Sequence, residues 1–493
     1  MSDAEVIRTY GNWRAPVRAG FGKLSFGASM GLVAGLVMTV FINATAGLLP
    51  ALGFLVLVGM SVAAVTLKDA HGVSIVDRIG EVMRFWRAKS QGKNLYRSGA
   101  TAPRIGDGAA RLPGVLSKVS VSEHRDAYQR PFALIKHPSG TVAVVIASYP
   151  EGDSLVDRET LDQQVARWGL WLTQLSQETG IVAASVTVES VPDSGTRLRR
   201  EVEQRIDPAA PQLAQLVLED VIDSYKEGAA QVRAWITITF DPGKMGVKRR
   251  DESQIARDIG SRLPGLTQGL GATGGGALHL VAVNELCRIA RVAFDPASEA
   301  LFDQAAAENS QVDIDFSQVG PTGAVAGWDT YRHDSGLSRT WVMTAPPRGA
   351  VQSSVLSRLI APSRDVDRKR VTLLYQPISA GRAPDLVEKD VNQALAGVAS
   401  SNRPTQRKQA ELRSAQQVAR EEADGASLVD FGIVITATTQ DGEIEDVAAA
   451  INALSSSARL QVRPAYGAQD TAFAMGLPFG LRPSSDSLVK WSK

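Results

Sequence analysis

Two hydrophobic patterns divide this chain. From Leu24 to Leu67 it runs 44 residues without an Asp, Glu, Lys, Arg or His. Beyond that run, apolar residues come in short alternating stretches or at helical intervals, separated by Gly, Pro and charged clusters. Crossing the hydrocarbon core of a bilayer takes about 20 mostly apolar residues in a helix, so the first run is long enough for two passes. Asn43-Ala-Thr-Ala-Gly47 and Leu-Leu-Pro50 place polar and helix-breaking residues at its middle. The pattern predicts a helical hairpin, with spans over Ser25 to Ile42 and Leu48 to Leu67. Gly27, Ala28, Gly31, Ala34 and Gly35 recur at near-helical spacing on the first span. Small side chains let two helix backbones approach closely, although Gly is common in membrane helices in any case.

After the hairpin, Ser74-Ile-Val-Asp77 has the form of a capping box and starts a helix running to about Ala88. Val76, Ile79, Met83 and Trp86 fall on one face of it, with Arg78, Arg84 and Arg87 off that face. A basic amphipathic helix directly after a span reads as interfacial, or as an ordinary helix packed on the soluble part. Gln91 to Gly114 is rich in Gly, Ala, Pro and Arg without periodicity and reads as a linker.

The remainder alternates strands with helices. Strands are predicted over Thr141–Ala147, Ile181–Val191, Arg233–Phe240, Thr340–Thr344, Arg370–Gln376, Phe431–Thr438 and Leu460–Pro464. Helices are predicted over Asp157–Glu178, Ala210–Lys226, Asp251–Leu263, Leu280–Ala293, Ser353–Ile360 and Ile444–Ser455. The polar stretch Asp385 to Asp424 is helical with a break at Asn402-Arg403-Pro404. The expected organisation is a segment 1–23, a transmembrane hairpin 24–67, a basic juxtamembrane helix and linker 68–114, and two cytoplasmic domains, 115–296 and 297–493. The fold class is α/β (α+β), on an N-terminal two-helix transmembrane hairpin, with helices covering one or both faces of the sheets. The order strand–helix–strand–helix occurs in both domains, and a diverged duplication would produce it.

Charge sets the expected topology. Arg8, Arg14, Arg18 and Lys23 precede the hairpin; Lys68, Arg78, Arg84, Arg87, Lys89, Lys93 and Arg97 follow it, against Asp69, Asp77 and Glu81. Positive charge on both flanks predicts a two-span cell-membrane protein with both termini cytoplasmic. It also suits contact with anionic membrane lipids through the juxtamembrane segment. Ala44-Thr45-Ala46 resembles a signal-peptidase site, but a second apolar span follows at once, so cleavage would still leave an anchor. The net charge of +1 gives no reason to expect direct nucleic-acid contact. A single cysteine, Cys287, excludes an intramolecular disulfide and a multi-cysteine metal site, as suits a reducing cytoplasm.

Motifs that carry chemistry are sparse. None of the Gly-Lys pairs, Gly22-Lys23, Gly92-Lys93 and Gly243-Lys244, is followed by the hydroxyl residue of a P-loop. Gly269-Leu-Gly271-Ala-Thr-Gly274 matches GxGxxG but follows a helix, which reads as a loop. His71, His124, His137, His279 and His333 lack metal-ligand spacing. Arg332-His333-Asp334-Ser335 groups polar residues, but a triad is defined by geometry and not by adjacency. The runs Arg197, Arg199, Arg200 and Asp365, Asp367, Arg368, Lys369, Arg370 read as solvated surface. The expectation is a non-enzyme with no catalytic, cofactor-binding or metal-binding residues.

Two parts of the chain resemble components of conjugative, type IV-like DNA-transfer machines. The hairpin with its basic flanks, from Val17-Arg18 through Val73-Ser-Ile-Val-Asp77 to Arg97, looks like the PrgI-type inner-membrane proteins of Gram-positive conjugation systems. Thr340-Trp-Val-Met-Thr-Ala-Pro-Pro-Arg-Gly349, Ser353–Ile360, Val371–Gln376, the long polar helix, Phe431–Thr438 and Thr471-Ala-Phe-Ala-Met-Gly-Leu-Pro478 look like the amino-terminal, non-catalytic domain of VirB/TraC-type conjugation ATPases. An ATPase domain follows in that family, whereas this sequence carries no P-loop. The chain is thus similar to actinobacterial integral-membrane proteins encoded beside such ATPases. The resemblance implies a non-catalytic inner-membrane scaffold that anchors or recruits a separate cytoplasmic ATPase. Its partners would be that ATPase and other secretion-channel subunits, with a homo-oligomer as a further option. The same outline resembles EccE-type membrane components of type VII secretion. A membrane-tethered enzyme would need a pocket of convergent polar groups. A transporter is disfavoured because the two spans hold no ionisable residue.

Overall fold

The computed structural model describes residues 26–483 apart from 68, 70–71, 100–101, 103–108, 151, 153–155, 193–201, 203–209, 227–229, 247–250, 309, 311, 348, 350, 401–402 and 441–442. Two apolar helices, α1 (Phe26–Ala46) and α2 (Leu48–Thr66), lie against each other as a hairpin. Both are long and apolar enough to cross a membrane. The reversal is tighter than expected: α1 continues through Asn43 to Ala46, and Gly47 alone turns the chain with φ 89°. That backbone conformation is open to glycine and strained for any other residue. Pro50 falls in the first turn of α2, where its missing N–H costs no helical hydrogen bond. Of the small residues on α1, Gly35 sits at the close approach: a Cβ there would come within 2.9 Å of Val58 Cγ2. Gly31 faces open space.

The N-cap half of the capping box forms, while Asp77 reaches the Ser74 hydroxyl in place of its N–H. Ser74 Oγ accepts from the Asp77 amide and donates to the Asp77 carboxylate, starting α3 (Ile75–Ser90). The expected linker after it is not featureless. Residues Leu95–Arg97 form β1, which pairs with β8 (Gly323–Ala326) more than 200 positions away. Three residues are too few to show periodicity, so only the partner reveals the strand.

The other strands are β2 (Ser120–Arg125), β3 (Pro131–Lys136), β4 (Val142–Tyr149), β5 (Ile181–Pro192), β6 (Ala230–Phe240), β7 (Ala277–Leu280), β9 (Tyr331–His333), β10 (Gly336–Ala345), β11 (Arg368–Pro377), β12 (Val429–Thr439) and β13 (Gln461–Pro464). Together they make one 13-stranded sheet in the order β1-β8-β9-β10-β12-β11-β5-β6-β4-β3-β2, with β13 on β10 and β7 on β4. Among the described residues every ladder is antiparallel, which places the fold in the α+β class. Residues 115–296 and 297–493 each supply one half, joined by the β5–β11 ladder. Read outward from that ladder, the halves run β5-β6-β4-β3-β2 and β11-β12-β10-β9-β8, with β7 and β13 in matching places. This is the arrangement a duplicated unit produces.

Period-two alternation separates the two faces of the sheet. One face carries Val144, Ile146, Ile236 and Ile238 under α4 (Arg158–Gln177) and α6 (Glu252–Gln268), counted after α5 (Gln212–Lys226). In the second half it carries Trp341, Ile433 and Ile435. Fully burying one such side chain contributes roughly 1.5–3 kcal/mol. Asp157 and Asp251 cap α4 and α6 by accepting backbone N–H bonds. The chain continues through α7 (Val283–Phe294), α8 (Ser298–Ala307), α9 (Ser357–Ile360), α10 (Ala383–Ala399), α11 (Gln406–Ala423), α12 (Ile444–Ser457) and α13 (Gln469–Met475). The expected helix over Leu280–Ala293 thus begins only at Val283, because Leu280 ends β7.

The second face is lined with hydroxyls. Ser338 contacts Thr438 at 2.7 Å, Thr340 contacts Thr436 at 3.0 Å, and Thr187 contacts Thr372 at 3.1 Å across the junction. The C-terminal segment crosses this face and satisfies what the threonines leave over. Thr372 donates to the Gly476 carbonyl and Thr239 to the Gly480 carbonyl, both at 3.0 Å. The Gln469 amide bonds the Thr340 main chain on both sides, accepting from its N–H at 2.8 Å and donating to its carbonyl at 3.2 Å. Phe473, Leu477 and Phe479 then fill the space between.

Candidate functional site

The place where the apolar hairpin meets the sheet is built from side chains far apart in sequence. Glu81 on α3 receives a two-pronged contact from Arg463 of β13, with N–O distances of 3.1 and 2.6 Å. Two parallel charge-assisted bonds fix orientation as well as distance. Burial works against the charge on Arg463, but the Glu81 carboxylate outweighs it and raises the guanidinium above its usual value. The guanidinium also lies over the Tyr466 ring, 5.0 Å from its centre. Tyr466 stacks on Trp328 at 5.5 Å, and Trp328 meets Phe85 of α3 in a T-shaped contact at 5.4 Å. Gly467, at φ 71°, makes this approach possible, since a Cβ would stand 3.0 Å from Trp328 and 3.2 Å from Phe85. The result is a packed joint between α3 and the sheet.

The opposite face of α3 is unpartnered among the described residues. Val76, Ile79, Met83 and Trp86, the face expected from the sequence, are all exposed, together with Ile75. Arg87 and Lys89 lie in the last turn, where they complement the helix dipole.

A second polar cluster sits inside the sheet. Glu189 on β5 lies 2.6 Å from Arg370 and 3.4 Å from Arg368, both on β11. Arg368 also pairs with Glu299 of α8, which in turn lies 2.6 Å from Arg233 of β6. Burial would raise the Glu189 carboxyl, but Arg370, Arg368 and Arg233 hold it down at about 2. Arg368 and Arg370 were expected at the surface. They are buried because their strand is the centre of the sheet and not an edge. Lys369, on the other face of the same strand, is buried too. It donates to the Ala361 carbonyl at 2.7 Å, and desolvation lowers it to about 8.

Several of the motifs weighed in the sequence fall into packed positions, whereas Gly92-Lys93 and Gly243-Lys244 are exposed. Gly271–Thr273 is a short 3-10 turn between α6 and β7, and a Cβ on Gly274 would stand 2.9 Å from Gln164. The GxGxxG match is therefore packed against α4. His333 is fully buried; its Nδ1 bonds the Phe294 carbonyl at 2.8 Å and its Nε2 meets Ser338 Oγ at 2.7 Å. Because the carbonyl can only accept, Nδ1 carries the proton and Ser338 donates to Nε2. Desolvation lowers this imidazole to about 4. Neither His333 nor Ser338 offers surface to a substrate. Asp334 and Ser335 point elsewhere, to Thr322 and Asp295 respectively. Burial pushes the Cys287 thiol up to about 12. Among the described residues no group of His, Cys, Asp and Glu could hold a metal ion. Arg197, Arg199 and Arg200, and the flank Arg8, Arg14, Arg18 and Lys23, lie outside the described residues.

Sequence reasoning missed the joint. Glu81 and Arg463 are 382 positions apart, and no local pattern links them. One signal was present: Glu81 is a carboxylate in the middle of a basic helix, off the apolar face and away from the cap. No protein-family model matches the chain, and no curated protein matches it.

Proposed function

We propose that this chain is a non-catalytic scaffold of a conjugative, type IV-like secretion machine. In this reading α1 and α2 anchor it in the inner membrane with both termini cytoplasmic, and the sheet seats a separate cytoplasmic ATPase.

The observation that carries the reading is the joint of Glu81 and Phe85 with Arg463 and Trp328. It couples a hairpin of membrane-crossing length to a large sheet through paired charges and stacked rings, as an anchor requires. The ATPase partner rests on the resemblance of the second half. Four of its quoted segments adjoin one another in space, as β10, β11 and β12 with α13 packed across them. A domain built like part of an ATPase offers the surfaces through which that ATPase contacts its own kind.

The test is affinity purification of the tagged full chain, extracted in detergent from its native cell, with mass spectrometry of what accompanies it. A P-loop ATPase of the conjugation type is the expected companion, and it should be lost when the sheet is deleted but the hairpin retained. Recovery of type VII core components instead would replace this reading with the EccE-like one. Recovery of no ATPase of either kind would overturn both.

A further inference from the structure

The exposed stripe on α3 calls for an occupant. Ile75, Val76, Ile79, Met83 and Trp86 are 46%, 48%, 54%, 67% and 68% exposed. At 3.6 residues per turn they form one continuous band, and Glu81 and Phe85 project from the other side of the helix. A scattered exposed apolar residue means little, but a continuous apolar band rimmed by charge marks an interaction surface.

The rim identifies the partner. Arg78 and Lys89 border the band on one side, Arg84 and Arg87 on the other, and all are exposed. The two carboxylates of α3 are removed from this field: Asp77 is engaged by Ser74 at the cap, and Glu81 is turned away and neutralised by Arg463. A second copy docking face to face would oppose the same cations, which is unfavourable. Anionic headgroups would neutralise them, at about 1 kcal/mol or roughly fivefold for each basic side chain near the surface. Position agrees, since only residues 67–73 separate α2 from the cap of α3.

We infer that α3 lies on an anionic lipid surface with the Ile75–Trp86 band turned into it, while its opposite face holds the sheet. The helix is then a two-sided adaptor: lipid on one side, Arg463 and Trp328 on the other. It sets the angle at which the sheet leaves the membrane, which a flexible tether could not do. The inference rests on reading α1 and α2 as a membrane anchor, and the experiment separates the two.

Cys287 is fully buried, so an introduced cysteine is the accessible label site. Met83→Cys and, separately, Leu57→Cys in α2 would be labelled with an environment-sensitive fluorophore in the full chain. Each would be reconstituted into phosphatidylcholine vesicles with phosphatidylglycerol, with nitroxide-bearing lipids as quenchers. The expected result is quenching at both sites, with position 83 responding to the nitroxide nearer the headgroups. Combining Arg84→Gln with Arg87→Gln should lower the docked-to-undocked ratio at position 83 roughly 25-fold, and omitting phosphatidylglycerol should lower it at least as far. Quenching at position 57 with none at 83 would overturn the inference and leave the anchor intact. Quenching at neither would overturn the anchor and the inference with it. Position 83 shielded from water yet unquenched would assign the band to a second copy or another protein, and quenching indifferent to phosphatidylglycerol would overturn the anionic surface.

Discussion

The carboxylate of Glu189 on β5 lies 2.6 Å from the guanidinium of Arg370 on β11, directly across the ladder that joins the two halves of the sheet. Both side chains are buried. The neighbouring Thr187–Thr372 contact continues the polar seam along the same face. The halves are therefore joined by matched polar partners as well as by main-chain bonds. Such a seam gives a specific register, because a slip of one residue would leave each partner buried and unpaired.

Breaking this pair should be costly. Glu189→Met leaves Arg368 and Arg370 buried with Glu299 as their remaining carboxylate, at an expected loss of about 3–5 kcal/mol. Glu189→Met combined with Arg370→Met should lose less than the first change alone, because no charge is stranded. Denaturant unfolding of the detergent-extracted protein, analysed as a double-mutant cycle, measures the coupling. Additive effects would contradict it.

Acid should act in two windows. His333 titrates at about 4 in the folded protein against 6.5 ordinarily, because burial disfavours its charged form. The unfolded chain therefore takes up its proton first, and stability falls as pH drops from 6.5 to 4, on the order of 3 kcal/mol in total. His137 is lowered by burial in the same direction. Glu189, held at about 2 against 4.5, contributes stability that is present above pH 4.5 and lost as pH falls toward 2. His333→Gln should be less stable at pH 7 yet flatten the first window and leave the second, in unfolding measured across pH. An unchanged slope between pH 6.5 and 4 would refute this.

Lys369 should be dispensable. Its ammonium is buried with the Ala361 carbonyl as its hydrogen-bond acceptor, and titrates at about 8 against 10.5. The folded protein therefore loses the proton first, so the wild type gains stability as pH rises from 8 to 10.5. Lys369→Met removes the buried charge and keeps the length. It should be neutral or up to about 2 kcal/mol more stable at pH 7, and lack the alkaline gain. A loss above about 1 kcal/mol would show that the Ala361 bond outweighs desolvation.

The joint can be loosened without unfolding the sheet. Glu81→Gln removes the carboxylate from Arg463 and should lower the local opening energy of α3 by roughly 2 kcal/mol, about thirtyfold in amide exchange. Hydrogen exchange by mass spectrometry should show faster exchange over residues 75–90 with β5 and β11 unchanged. Equal protection in variant and wild type would remove the joint as the anchor point.

Legibility followed the length and environment of each element. β4, β5, β6, β11 and β12 are long strands whose apolar runs or alternation report burial directly. α4, α6 and α11 carry their caps, Asp157, Asp251 and Thr405, next to their periodic residues. β1 and β9 are three residues each and hold no period, so they exist only through β8 and β10. Arg368 and Arg370 misled because charge next to a turn ordinarily means surface, and only the strand order puts them inside.

The sequence by itself determined the uncharged hairpin, the basic amphipathic helix after it and most strands and helices, because each depends on neighbours within one or two turns of chain. The tertiary structure decided that the two halves share one antiparallel sheet, that Glu189 meets Arg370 across it, and that Glu81 reaches Arg463. Those contacts join residues 181 and 382 positions apart. A hydrophobic period reports whether a residue is buried; it carries no information about which distant partner completes its charge. That choice is made only when the chain closes, where an unpaired buried charge costs more than any local preference can offset.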